Sequence, residues 1–358
     1  MRSVRMQGLQ GTDLVTESTM KTYSNFTLAY HGLLKDVYHS PEHEASPRGL
    51  KVKERLGHSF RITDIRDRLP YIPHRGFSVS YLIAELVWYL SGNDSTEWIA
   101  NYSSFWKNIS DDGLTANSAY GSRIFKQHRY QAAPGIDEGW TQWQFLKDEL
   151  KKDPDSRRAV LHIRMPQDSV LASKDVPCTL ALQFFIRDGA LHQVASMRSS
   201  DLVLGIALDI PAFTMFQELL ALELGVECGS YTHISNSLHI YEKNYALVEK
   251  ILADPWVKEF PHRCKPMPAL PSMPPVDWLC TAESEFRRAA DESALRGAVT
   301  LILDHPRKDG TDKIVDMNYW RDWILILAWH RAGKLELPEL QGELMDRVSF
   351  SGFKLFSK

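Results

Sequence analysis

Two apolar runs, Leu180 to Ile186 and Leu191 to Ser196, are separated only by Arg187-Asp188-Gly189. An Asp-Gly pair between such runs supplies the backbone that a tight hairpin turn demands, so the runs read as adjacent antiparallel strands. A lone Cys178 follows Pro177 at the mouth of the first strand. Twenty residues later comes Arg198-Ser199, and eleven after Arg198 an acidic residue, Asp209, stands inside an apolar segment. A thiol, a guanidinium and a buried carboxyl in this order suggest a nucleophile, an anion clamp and a polar reader.

Periodicity places the other elements. Apolar positions recurring at three and four predict a helix over Met20 to Val37, and partial alternation predicts a hairpin over Arg48 to Thr63. Ser80 to Leu90 is apolar almost all round and predicts a buried helix with Glu85 in its middle. A carboxylate there is rare unless paired or put to use. A helix is expected over Trp98 to Ile109, a loop at Tyr120-Gly121, and a helix over Gly139 to Lys152 that ends in the turn Asp153 to Arg158. A strand follows at Ala159 to Ile163. Later come a helix over Pro211 to Leu224 and a strand over Tyr231 to Tyr241 that carries His233, His239 and Tyr241 at period two. Pro261 to Pro275 reads as an extended crossing, with helices after it over Glu283 to Leu303 and Asn318 to Ala332. The chain divides on this reading into a loose tail (1–19), a catalytic domain (20–296) and a C-terminal helical extension (297–358).

A net charge of −3 gives no reason to expect nucleic-acid binding, and no run has the length of a signal peptide or membrane span. A cytoplasmic protein is expected. Cys178, Cys228, Cys264 and Cys280 lack metal or redox spacing, so free thiols and no metal are expected.

Several ordered motifs, covering roughly residues 20–260, resemble the thymidylate synthase and pyrimidine hydroxymethylase superfamily. They are Glu85-Leu86-Val87-Trp88-Tyr89-Leu90, Asp153-Pro154-Asp155-Ser156-Arg157-Arg158, Pro177-Cys178, Arg198-Ser199-x-Asp201-x-x-Leu204-Gly205 and His239-x-Tyr241. The resemblance implies a three-layer α/β fold whose central mixed sheet packs back-to-back in a homodimer. It makes Cys178 the nucleophile, and Arg48, Arg198, Ser199 and the partner subunit's Arg157 and Arg158 the holders of a nucleotide phosphate. Glu85 and Tyr120 become the groups that move protons, and His239 and Tyr241 bind the sugar. Asp201, Leu204, Gly205 and Trp106 contact 5,10-methylenetetrahydrofolate, with Gly205 also under the base.

Departures from the superfamily pattern sharpen the expectation. Asp209, in Leu208-Asp209-Ile210, stands where thymidylate synthases carry an Asn that reads uracil. Cytosine reverses the donor and acceptor of uracil, so the Asp implies a cytosine nucleotide monophosphate, as in deoxycytidylate or cytidylate hydroxymethylases. The expected reaction is hydroxymethylation of dCMP at C5. Alternatives are a CMP hydroxymethylase, a dCMP C5-methylase, a thymidylate synthase or a non-catalytic nucleotide-binding paralogue. Thr179, Met197 and Ser237 replace a common His, Gln and Asp beside the site.

Overall fold

The computed structural model describes residues 20–126, 141–170, 172–255, 266–304 and 318–357. The expected tail, Trp140 at the start of the predicted 139–152 helix, and Pro261 with Cys264 lie outside the described residues. Strands β1 (Lys21–Tyr23), β2 (His43–Ala45), β3 (Val52–Ile62), β4 (Val160–His162), β5 (Thr179–Arg187), β6 (Ala190–Met197), β7 (Ser200–Asp201) and β8 (Glu227–Tyr241) form one sheet. Its order is β1-β3-β8-β6-β5-β4, with β2 on β3 and β7 on β8. The sheet is mixed: β1 with β3 and β6 with β8 run parallel, whereas β3 with β8, β5 with β6 and β4 with β5 run antiparallel. The β5–β6 hairpin turns at Asp188-Gly189, both at positive φ.

Helices α1 (Phe26–His39), α2 (Val79–Leu90), α3 (Thr96–Ile99), α4 (Phe105–Ile109), α5 (Tyr120–Phe125), α6 (Gln142–Lys152), α7 (Ile206–Leu224) and α8 (Tyr245–Ala253) precede α9 (Val276–Arg288), α10 (Glu292–Asp304), α11 (Asn318–Lys334), α12 (Pro338–Asp346) and α13 (Ser351–Lys354). The result is a three-layer α/β arrangement. Helices α1 and α7 lie on the sheet, and α2, backed by α9 and α11, lies outside α7. This position explains α7: Phe213, Met215, Phe216, Leu219 and Leu220 are all buried because it has protein on several sides.

Local preference loses to packing in several places. The residues from Met20 to Val37 are not one helix: Lys21–Tyr23 joins the sheet, and the helix starts at Phe26, capped by the Asn25 side chain on Leu28 N. The expected hairpin at 48–63 is one long strand, because its alternation continues through Val52, Phe60 and Ile62 against β8. Trp98 to Ile109 splits into α3 and α4, and Tyr120-Gly121 opens a helix instead of a loop. Helix α7 begins five residues before Pro211, since Ile206, Ala207 and Ile210 are fully buried and outweigh the proline's missing donor. The 283–303 segment is two helices broken at Ala289, and the boundary expected at 296/297 falls inside α10.

The C-terminal helices are welded to the rest. Ser80 Oγ on α2 hydrogen-bonds His330 Nδ1 on α11 at 3.1 Å, and the His330 ring stacks on Tyr102 at 4.5 Å. The Asp322 carboxylate accepts from Ser349 N and Phe350 N, both at 2.8 Å, and Phe356 stacks on Tyr71. Among the described residues, no helix is long and apolar enough to cross a membrane.

Candidate active site

The β5–β6 register builds the first half of the site. Thr179 pairs with Met197, so Cys178 and Arg198 stand opposite one another just beyond the paired strands. Arg198 donates from Nε to Pro177 O (2.9 Å) and from Nη2 to Val176 O (2.8 Å), which leaves Nη2 3.6 Å from Cys178 Sγ. Burial raises the thiol above its ordinary range. Arg198 and Arg48 pull it down, while Asp209 and Asp175 push it up. Arg48 is exposed at the turn before β3, in a left-handed conformation (φ 54°).

The second half comes from α2, α5 and α7. Glu85 is buried, and desolvation lifts its carboxyl to about 7 against hydrogen bonds from Tyr81 and Tyr89 that favour the charge. Tyr81 OH donates to Glu85 Oε1 at 2.6 Å and accepts from Trp106 Nε1 at 2.9 Å. Tyr120 stacks between Tyr89 (5.5 Å) and Phe213 (6.1 Å), and Thr179 Oγ1 donates to its phenol at 3.1 Å. Burial, Asp209 and Cys178 raise the Tyr120 phenol well above its ordinary value. Gly121 is required here, because a Cβ would lie 2.1 Å from Tyr89 O. Asp209, in the first turn of α7, is half-buried, and desolvation and the charges of Glu85 and Asp201 hold its carboxyl well above the usual carboxylate range.

The remaining expected site residues sit at the rim. Asp201 Oδ1 accepts from Val203 N (2.8 Å) and shapes the turn that presents Leu204, 54% exposed, and Gly205. Asp201 pairs with His239 across β7 and β8, and the His239 ring meets Tyr241 edge-on at 5.0 Å. Ser199 is half-buried beside Arg198. His233, on the same strand, is a core residue stacked on Phe60. Arg157 and Arg158 are not gathered here: both are exposed, and Arg158 pairs with Glu149 at 2.8 Å. Among the described residues, no group of three or more His, Cys, Asp or Glu is placed to hold a metal.

Sequence reasoning missed Tyr81, Tyr89 and Asp175. The first two had a signal, because Tyr81, Glu85 and Tyr89 are spaced four apart on one helix face. Asp175 had none, since its influence on the thiol is a tertiary effect.

A profile of the thymidylate synthase family matches residues 28–262. The chain belongs to that family. It is also 32% identical, over 203 residues, to a deoxyuridylate hydroxymethyltransferase of Bacillus phage SP01, an alignment covering 56% of this chain and 53% of the relative. The chain therefore spans about half the length of the curated relative it matches.

That relative overturns the expectation of a cytosine nucleotide, whether dCMP or CMP, and with it the reading as a deoxycytidylate or cytidylate hydroxymethylase. The error was chemical. A protonated carboxyl carries one donor and one acceptor, as a carboxamide does, and so meets the N3–H and O4 of uracil equally well. Asp209 is in the surroundings that keep a carboxyl protonated.

Proposed function

We propose that this family member hydroxymethylates deoxyuridylate at C5, converting dUMP, methylenetetrahydrofolate and water into 5-hydroxymethyl-dUMP and tetrahydrofolate. The observation that carries the reading is the opposition of Cys178, beside Arg198, to a carboxyl pair and a phenol, Glu85, Asp209 and Tyr120. The named relative supports the base and the reaction type.

Cys178 attacks C6 of uracil; burial disfavours its thiolate, and the charges of Arg198 and Arg48 work against that penalty. Arg48, Arg198, Ser199 and the partner's Arg157 and Arg158 hold the 5′-phosphate in a homodimer, and forked guanidinium groups suit a dianion. His239 and Tyr241 address the sugar. Protonated Asp209 donates to O4 and accepts from N3–H, steadying charge that builds on the ring. Leu204, exposed on the turn that the Asp201 carboxylate shapes, Gly205 beside it and the buried Trp106 indole contact the pterin. The folate supplies the one-carbon unit. The Tyr120 phenol takes the C5 proton as it passes its own proton on to water, with Thr179 fixing its direction, and Glu85 handles the proton of the incoming water.

The test is the mass of the product made by purified protein from dUMP, dCMP and CMP, each with methylenetetrahydrofolate. A gain of CH2O on dUMP is expected. Turnover of a cytidylate with dUMP untouched, or a gain of CH2 alone, would refute the assignment.

A further inference from the structure

Helix α2 is buried at every position except Tyr81, which is partly open. Tyr81, Glu85 and Tyr89 lie one above another on the same face, and both phenols hydrogen-bond the Glu85 carboxyl. The direction of the first bond is fixed by chemistry. An indole N–H can only donate, so the Tyr81 oxygen must accept from Trp106, and its own proton is committed to Glu85 Oε1. Two phenols thus occupy two of the carboxylate's four or so lone-pair sites and leave the others for water. The other titratable group that faces Glu85 is Asp209 on α7, while Tyr120 on α5 lies behind Tyr89.

We propose that Tyr81 is a positioning residue for the water step: the chain Trp106–Tyr81–Glu85 holds the carboxylate where it accepts the proton of water adding to the C5 methylene. This rests on the hydroxymethylation proposed above. In that step the water oxygen bonds to the exocyclic carbon, its proton passes to Glu85, and the displaced π pair moves onto the ring as an enolate. The enolate then re-forms its carbonyl and the C5–C6 double bond while the Cys178 sulfur leaves C6 as thiolate. Atoms and charge balance without an outside oxidant or reductant. Tyr81 acts after C5 has lost its proton to Tyr120, so its removal separates two steps that run together in the intact protein.

The experiment follows both steps with dUMP tritiated at C5. Tritium released to solvent counts loss of the C5 proton, and 5-hydroxymethyl-dUMP counts water addition. In the wild type the two are equal. In Tyr81→Phe, followed through a single turnover with protein in excess, the rate of product formation should fall about tenfold relative to that of tritium release, the loss expected when one hydrogen bond to a charged group is removed. The acidic limb of product formation against pH should also move upward by about one pH unit, because the bond that favoured the charged carboxyl is gone. Equal loss of both counts, an unmoved pH limb, or a raised KM for the folate with the ratio unchanged would each overturn the proposal. If Tyr81→Phe does not fold, Trp106→Phe carries the same test, since it frees the phenol from its fixed direction and should shift the ratio the same way by less. A wild type that makes no hydroxymethyl product from dUMP would overturn the proposed function and this inference together. A productive wild type with an unchanged variant would overturn this inference alone.

Discussion

Replacing Glu85 by Gln isolates the energetic cost of the buried carboxyl. In the folded chain its pKa sits near 7 rather than at 4.5, with desolvation as the largest cause. Between these values the folded state keeps a proton that the unfolded state has lost, so stability is complete below 4.5 and declines as pH rises through about 7. At about 1.36 kcal/mol per pH unit, the interval amounts to roughly 3 kcal/mol. Gln has the same shape, can still accept from Tyr81, and does not titrate. Asp209 titrates in both proteins, and losing the Glu85 charge eases its own elevation, which adds to the difference in the same direction and makes the figure for Glu85 a lower bound. With roughly 2.1 cal/mol/K of unfolding entropy per residue over 358 residues, the swing corresponds to about 4 °C in melting temperature. Thermal unfolding of both proteins, at one protein concentration and without ligand, should show Glu85→Gln gaining on the wild type by at least this amount between acid and neutral pH. A difference that stays flat across that interval would mean that Glu85 is not a desolvated, titrating carboxyl.

The site makes two further demands. Thr179→Ala removes the donor to the Tyr120 phenol and should slow tritium release from C5-labelled dUMP about tenfold, with Thr179→Ser restoring most of it; equal rates would exclude this role. Asp209→Asn keeps one donor and one acceptor and should retain kcat/KM for dUMP within about tenfold, whereas Asp209→Ala should lose at least about a hundredfold. Equal losses in the two variants would show that the side chain does not read the base.

Much of this was legible from residue order. The hairpin at Asp188-Gly189 and the buried helix round Glu85 follow from turn chemistry and period, and the structure forms both; Cys178 and Arg198, read from their order in the chain, lie side by side. Boundaries set by long-range burial were not legible. The early start of α7 depends on Ile206 and Ala207 meeting residues distant in the chain, and the strand at Lys21 exists only because β3 pairs with it. The base preference was misread for a different reason. Residue type gives the shape of Asp209, but the upward shift of its carboxyl comes from burial first and then from the charges of Glu85 and Asp201, which the fold sets around it.

At Gly121 no side chain cushions α5 against α2; peptide rests on peptide at the Tyr89 carbonyl. Tyr89, Tyr120 and Phe213 continue that contact as a stack of rings. Glu85 and Tyr120, the two groups proposed to move protons, therefore stand on one rigid pillar that holds their spacing. Substitutions meant to widen access to the site without disturbing that spacing belong instead at the turn carrying the exposed Leu204.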